Sequence, residues 1–276
     1  MKIIATCLAF VILLSPIYVK AQTDVERDPE FGGRFSMSVD KKLTRGLHLN
    51  LEEEVRFDNN FASFNRLHTT LGLSYKVNQN FKFGIGYAMI NPYDSTTFKA
   101  TRHRLMADAT GSLRFGDWRL SLKERLQATY RTGDMNEYQA PRTAFTLKSR
   151  LKLSYRGLQR WEPYIYAELR NTLNAPVINA VYNTTTDTWL SPTTGLARND
   201  AGWFLKGFNG CYVNRLRGAL GFEYIIDKHS GLDVCLLADY LMDKKVDANA
   251  EGTKLKSYTR ETGFIGWFTI NYCYSF

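Results

Sequence analysis

Phe268-Thr269-Ile270-Asn271-Tyr272-Cys273-Tyr274-Ser275-Phe276 is the stretch that decides the fold. Successive side chains of a strand point to opposite faces. Phe268, Ile270, Tyr272, Tyr274 and Phe276 therefore share one face, and Thr269, Asn271, Cys273 and Ser275 share the other. Such a strand wants an apolar medium along one whole side and accepts water along the other.

The same period-2 pattern runs back through the chain. Leu47, Leu49, Leu51, Val55 and Phe57 oppose His48, Asn50, Glu52, Glu54 and Arg56. Leu67, Leu71, Leu73, Tyr75 and Val77 oppose Arg66, His68, Thr70, Ser74 and Lys76, and Phe81, Phe83, Ile85, Tyr87 and Met89 alternate with Lys82 and glycines. Segments 102–115, 118–131, 143–156, 163–173, 213–226, 232–242 and 260–276 repeat the theme.

The connections sort by length. Short ones are expected near 42–45, 78–80, 116–117, 157–162 and 227–231, and long ones near 58–65, 91–101, 132–142, 174–212 and 243–258. A soluble meander has no reason to alternate short and long loops. A barrel in an outer membrane does, because only its outer end carries shielding or recognition. Aromatic residues gather at both strand ends: Tyr75, Phe81, Phe115, Trp118, Tyr155 and Tyr224 beside the short turns, and Phe57, Tyr87, Tyr130, Phe145 and Tyr240 towards the long loops. Two girdles suit two membrane–water interfaces.

Charge follows the same division. One face carries Arg102, Arg104, Arg119, Lys123, Arg125, Lys148, Arg150, Lys152, Arg215 and Arg217, with Glu52, Glu54, Asp108, Glu168, Glu223, Asp233 and Asp239 as candidate acidic partners. The opposite face carries one clear charge, Glu124. A base facing hydrocarbon at mid-depth costs about 2–4 kcal/mol, whereas water outside a soluble sandwich would exclude nothing. These features predict an all-β chain: a transmembrane antiparallel up-and-down β-barrel of ten to twelve strands over residues 22–276.

The count does not close evenly. Ten segments run from Leu47 to Phe276, and Phe35, Met37 and Val39 form an eleventh. Bacterial single-chain barrels normally have even numbers, so either the N-terminal strand closes the sheet in a special way or a further strand lies within 174–212.

At the other end, Lys2, the apolar run Ile3–Leu14, the break at Ser15-Pro16 and Val19-Lys20-Ala21 read as a secretory signal peptide over residues 1–21. Net charge is +9 and aromatic residues make up 14%. Export and the lack of any recognisable module argue against nucleic acid as a partner. An outer-membrane location is expected, with lipid and lipopolysaccharide as surroundings.

Chemistry is sparse. A serine nucleophile needs an adjacent base, yet two positions beyond His48, His68, His103 and His229 stand Asn50, Thr70, Leu105 and Gly231, and two positions before stand Gly46, Arg66, Thr101 and Asp227. A lipid-modifying barrel enzyme is thus disfavoured, and no metal or cofactor is expected. Cys235 and Cys273 fall on inward faces of adjacent strands, where they could pair or remain two free thiols. The basic interior suggests a narrow water-filled passage favouring small anionic solutes. The alternative is a closed barrel, plugged by its own Arg–Glu network, that binds a partner through the long 174–212 loop.

Two resemblances accompany these readings. The Phe268, Ile270, Tyr272, Tyr274, Phe276 pattern resembles the terminal signal read by the barrel-assembly machinery of bacterial outer membranes, which implies that machinery as a partner. Phe35-Ser36-Met37-Ser38-Val39-Asp40-Lys41-Lys42-Leu43, Leu49-Asn50-Leu51-Glu52-Glu53-Glu54-Val55-Arg56-Phe57 and Leu122-Lys123-Glu124-Arg125-Leu126-Gln127 resemble the uncharacterised domain-of-unknown-function 2490 family, common in Bacteroidota. That resemblance implies an outer-membrane barrel and carries over no functional residue.

Overall fold

The computed structural model describes residues 23–276, and the expected signal peptide lies outside them. Eleven long strands close into a barrel. In chain order they are β1 (Glu30–Thr44), β2 (Leu47–Asp58), β3 (Ser63–Lys76), β4 (Phe81–Asp94), β5 (Arg102–Phe115) and β6 (Trp118–Arg131). There follow β7 (Thr143–Tyr155), β8 (Trp161–Ile178), β9 (Leu205–Ile225), β10 (Ser230–Ala248) and β11 (Leu255–Ser275).

Each strand pairs antiparallel with the next, from β1 through β11. The seam is different. β11 pairs with β1 in parallel, from Ile265 opposite Glu30 to Ser275 opposite Asp40, and Thr23–Glu26 continues that pairing towards the long-loop end. This corrects the expectation of an antiparallel barrel throughout. An odd number of up-and-down strands leaves the first and last running the same way, so closure can only be parallel. The terminus is built into the seam: Lys42 N donates to Phe276 O at 2.9 Å and Phe276 N to Asp40 O at 3.0 Å. No strand is hidden in the long loop that would make the count even; Val181–Asn183 and Thr188–Leu190 pair only with each other.

β1 and β11 approach closely because of Gly32. A Cβ placed there would lie 2.5 Å from the Phe57 carbonyl oxygen and 2.7 Å from the Trp267 ring. Gly32→Ala is expected to destabilise the barrel by ~1–3 kcal/mol through overpacking. Gly218→Ala, where the added methyl meets nothing within 4 Å, should leave stability unchanged. Heat-dependent mobility of the folded band in detergent would separate them, and equal mobility shifts would refute the close approach at the seam.

The parity of the connections holds in part. The connection expected to be long over 58–65 is only residues 59–62, no longer than the turns at 77–80 and 156–160, because strand pairing runs on past the apolar zone. The other connections at that end are longer. Short turns join β1–β2, β3–β4, β5–β6, β7–β8 and β9–β10 at one end. At the first of these Gly46 adopts φ +85°, a conformation that a side chain disfavours. At the last, the Asp227 carboxylate accepts from His229 N at 2.7 Å and Ser230 N at 2.8 Å, and these two N–H groups hold its pKa below the usual range.

The long-loop end differs from expectation in extent. β8 to β11 run well past the predicted segments, so that most of 243–258 and parts of 174–212 are strand. Beyond the apolar zone nothing enforces alternation, yet backbone pairing continues, which is why the pattern does not announce these extensions. There the chain forms its own apolar cluster of Ala180, Trp189, Phe204, Val246, Ala248 and Leu255. Trp203 Nε1 donates to Thr253 O at 2.9 Å, fastening the loop to the β10–β11 connection.

The barrel is inside-out relative to a soluble sandwich. Ile85 and Leu105 on the outer face are 65% and 63% exposed, whereas Asp239 on the inner face is 1% exposed. Aromatic contacts mark both rims: Trp118 with Tyr155 and Trp161 with Tyr224 at the short-turn end, Phe57 with Phe64 and Tyr240 with Phe264 towards the long loops. Glu124 faces outward and accepts from Ser149 Oγ at 2.6 Å. It has company, because the register sets Glu53 opposite Met37 and Thr69 on the same outer surface.

Candidate functional site

Every inward side chain of this barrel points at a shared lumen, and the lumen holds a cavity of about 810 Å³. Its lining runs from Arg27 and Glu30 at the long-loop end to Lys82 and Thr110 near the short turns. Lys82 and Thr110 also border a second cavity of about 280 Å³ at the short-turn mouth, beside His48 and Arg119. No residue of the 174–212 loop lines the larger cavity, so that loop does not plug it.

Four inward carboxylates organise most of the bases. Asp108 takes Lys123 at 3.0 Å and Arg125 at 2.6 Å. Glu168 takes Arg150 at 2.6 Å and Arg217 at 3.7 Å. Glu54 takes Arg56 at 2.5 Å. Asp239 gathers Arg217 at 2.6 Å, Arg215 at 3.3 Å and Arg34 at 3.7 Å, and also accepts from Trp267 Nε1 at 3.1 Å. Buried charge must be paired or wet, and these pairs satisfy one part of the wall.

The other part is left over. Cross-strand register lines up like charges directly opposite one another. One row is Arg34, Arg56 and Arg66 on β1 to β3. A second is Arg125, Lys148, Arg170 and Arg215 on β6 to β9. Directly opposed side chains on adjacent strands have Cβ atoms about 4.5–5.5 Å apart, and like charges there are destabilising. Among the described residues, Arg66, Arg104, Lys148 and Arg170 form no ion pair within 4 Å; Arg104 makes only a hydrogen bond from Nε to Thr129 Oγ1 at 2.9 Å.

Most predicted inward residues are where the alternation puts them. Arg104, Lys123, Arg125, Lys148, Arg150, Lys152, Arg215 and Arg217 line the lumen, with Glu52, Glu54, Asp108 and Asp233. Glu168 and Asp239 sit in the wall, sealed by their arginines. Three lie apart. Arg102 is exposed at the rim of the long-loop end. Arg119 lines the small cavity instead and donates to Ser112 Oγ at 3.1 Å. Glu223 pairs with Lys152 at 2.6 Å but is 45% exposed beside the short turns.

Arg34, Arg56, Arg66 and Arg170 also belong to the site, although they are not among the predicted lumen bases. Inward parity is the signal that finds Arg56 and Arg66. The same parity places Arg170 inward within segment 163–173, two residues beyond Glu168, whereas Arg34 lies just outside the segment marked by Phe35, Met37 and Val39. Of the two alternatives left open for Cys235 and Cys273, the structure has the second: both thiols are free. Cys235 stands opposite Thr269 and Cys273 opposite Gly231. A four-residue offset separates them by roughly 13 Å along the strands, beyond the ~7 Å Cα limit for a disulfide.

The family described as "Protein of unknown function (DUF2490)" matches residues 31–201, from β1 through most of the connection between β8 and β9. The chain belongs to this family. Within the DUF2490 match lie Arg34, Arg66, Arg104, Lys148 and Arg170, while Arg215, Arg217 and Asp239 lie beyond it. No curated protein sequence matches the chain. Among solved structures, the NanC porin is 12% identical, with TM-score 0.40, over 82% of this chain and 93% of that one. An anion-selective porin from Comamonas acidovorans is 11% identical, with TM-score 0.33, over 84% of this chain and 54% of that one. The translocator domain of the autotransporter NalP from Neisseria meningitidis is 13% identical, with TM-score 0.35, over 72% and 70%.

Proposed function

We propose that this protein spans the bacterial outer membrane as a non-enzymatic β-barrel and passes small anionic solutes through its lumen. The observation that carries the reading is the pair of cross-strand cation rows lining an 810 Å³ cavity, of whose members Arg66, Lys148 and Arg170 form no ion pair within 4 Å among the described residues. Rings of Arg and Lys attract anions and repel cations. The membrane assignment rests on the exposed apolar belt, the two aromatic rims and the loop parity described above. In this setting the outer face meets lipid and, towards the long loops, lipopolysaccharide, and the strand ending at Phe276 is what the assembly machinery would engage.

Absence of catalysis is part of the proposal. The four histidines serve four separate surroundings: His48 contacts Asp40 at 2.8 Å, His68 contacts Glu54 at 3.5 Å, His103 bonds the outward Tyr87 hydroxyl at 2.6 Å, and His229 meets Ser275 O at 2.7 Å. His48 stands opposite Ser74 across β2 and β3, but its Nδ1 is taken by Asp40. Among the described residues no histidine ring nitrogen is hydrogen-bonded to a serine hydroxyl or a cysteine thiol.

Planar-bilayer recording tests the passage. In a KCl gradient the reversal potential should take the sign of chloride; a cation-signed potential, or no conductance, would rule the reading out. The membrane assignment has its own check. Leu122 faces outward and is 44% exposed, so Leu122→Arg should cost about 2–4 kcal/mol in lipid vesicles. Glu53→Leu should cost nothing or stabilise. Reversed effects would place water, not hydrocarbon, outside the barrel.

A surface-binding role for the long loop keeps one observation in its favour. Its hairpin holds Val181 and Tyr182 at 47% and 39% exposed, and Leu196 beyond it is 68% exposed. A barrel without conductance would turn attention there.

A further inference from the structure

Three adjacent strands bring Lys148, Arg170 and Arg215 directly opposite one another on the inner wall. Arg215 shares Asp239. Lys148 and Arg170 form no ion pair within 4 Å among the described residues, although Glu168 lies within electrostatic reach of Lys148 and Asp243 within reach of Arg170. Across the lumen Arg104 lies within electrostatic reach of Arg170 and Arg66, and Lys148 within reach of Arg104 and Arg170. Such a concentration of one sign is held by water or by an external counter-charge.

A second observation points the same way. The buried side-chain nitrogens that lack any hydrogen-bond partner include Arg170 Nε, Arg215 Nε, Arg34 Nε and His68 Nε2, all on residues lining the large cavity. Buried donors left unpaired cost about 1–3 kcal/mol each. Guanidinium nitrogens can only donate, so what would relieve them is an acceptor.

We propose that the upper lumen holds a binding site for a compact multivalent oxyanion, formed by Arg66, Arg104, Lys148 and Arg170. A single monovalent anion neutralises one of these bases and leaves the rest facing one another. An ion carrying two or more charges on separated oxygens can meet Lys148 and Arg170 together and still reach Arg104. Planar guanidinium groups grip phosphate and carboxylate oxygens two at a time, and the lysine adds a point charge that suits either. The shared chemistry is a phosphorylated or polycarboxylate solute. The lumen wall shields the site from lipid headgroups, so the source is a free solute.

This inference rests on the reading of the lumen as a passage, and the test keeps the two apart. The full-length mature protein is reconstituted in planar bilayers at about 0.1 M KCl, where the Debye length of ~10 Å leaves the site unscreened. Pyrophosphate is added at up to about 1 mM, with formate at equal ionic strength as control. Citrate in a parallel series distinguishes a carboxylate-taking from a phosphate-taking site. Pyrophosphate or citrate, and not formate, should reduce the chloride current. The double substitution Lys148→Met with Arg170→Gln should raise the half-blocking concentration roughly tenfold or more, about 1.4 kcal/mol.

An anion-selective current untouched by either multivalent ion overturns the site and leaves the passage standing. If no current passes, the melting temperature of the detergent-solubilised barrel decides. A rise with pyrophosphate that the double variant lacks supports the site without the passage; no rise overturns it. Arg198→Gln, on the loop far from the lumen lining, serves as the charge control that should behave as wild type.

Discussion

Asp239→Ala should unfold or severely weaken the barrel. The carboxylate is 1% exposed and holds Arg217 through two bonds of 2.6 and 2.8 Å, Arg215 at 3.3 Å and the Trp267 indole at 3.1 Å. It lies on β10, Arg215 and Arg217 on β9, Trp267 on β11, and Arg34, at 3.7 Å, on β1 beyond the parallel seam. One side chain therefore ties four strands together across the closure. Removing one partner of a buried ion pair costs about 3–5 kcal/mol, because the charge left behind is neither paired nor hydrated. Here Arg34 and Arg215 lose their acid and Arg217 keeps only Glu168 at 3.7 Å, so the upper part of that range is expected.

Denaturant unfolding in lipid vesicles, followed by the loss of the compact band on a gel, measures the effect. Asp239→Asn should fall between wild type and alanine, since an amide oxygen can still accept but carries no charge. If alanine and wild type unfold together, water fills the role assigned to the carboxylate and Asp239 does not hold the seam. The effect should also exceed that of Gly32→Ala at the same seam, where only a methyl group has to be accommodated.

The second large effect concerns what the lumen admits. Lys148→Glu with Arg170→Glu replaces two adjacent unpaired bases with two acids, a change of four charges at one level of the cavity. Two unit charges about 4 Å apart interact by ~4 kcal/mol at an effective dielectric of 20, and each ~1.4 kcal/mol is tenfold in a ratio. A passage ruled by this ring should change from chloride-favouring to potassium-favouring, so that the reversal potential changes sign. The mirror experiment on a paired residue is the control: Lys123 already shares Asp108 at 3.0 Å, and Lys123→Gln should alter selectivity far less. Equal shifts from both would mean that total charge, rather than the unpaired ring, governs passage.

Much of this molecule is legible in its sequence. Which side of each strand faces the lumen follows from parity alone, and Arg104, Lys123, Arg125, Lys148, Arg150, Lys152, Arg215 and Arg217 line the cavity as the alternation implies. Loop parity and the aromatic rims are equally plain. Less visible is the reach of β8 to β11 beyond the apolar zone, since strands in water lose the alternation that betrays them. Arg102 and Arg119 show the same limit in depth: parity says inward, but not how far along the barrel a side chain lies.

Residue types at a spacing of two were enough to determine the strands, their two faces and the sign of charge inside, because these depend on chain geometry over a few residues and on what surrounds each face. Tertiary structure alone decided the parallel seam, the separation of Cys235 from Cys273, and which bases find an acid. Those are questions of register between strands that closure of the whole sheet sets. The unpaired row of Lys148 and Arg170 exists only because eleven strands meet at one particular stagger, and no local pattern records that stagger.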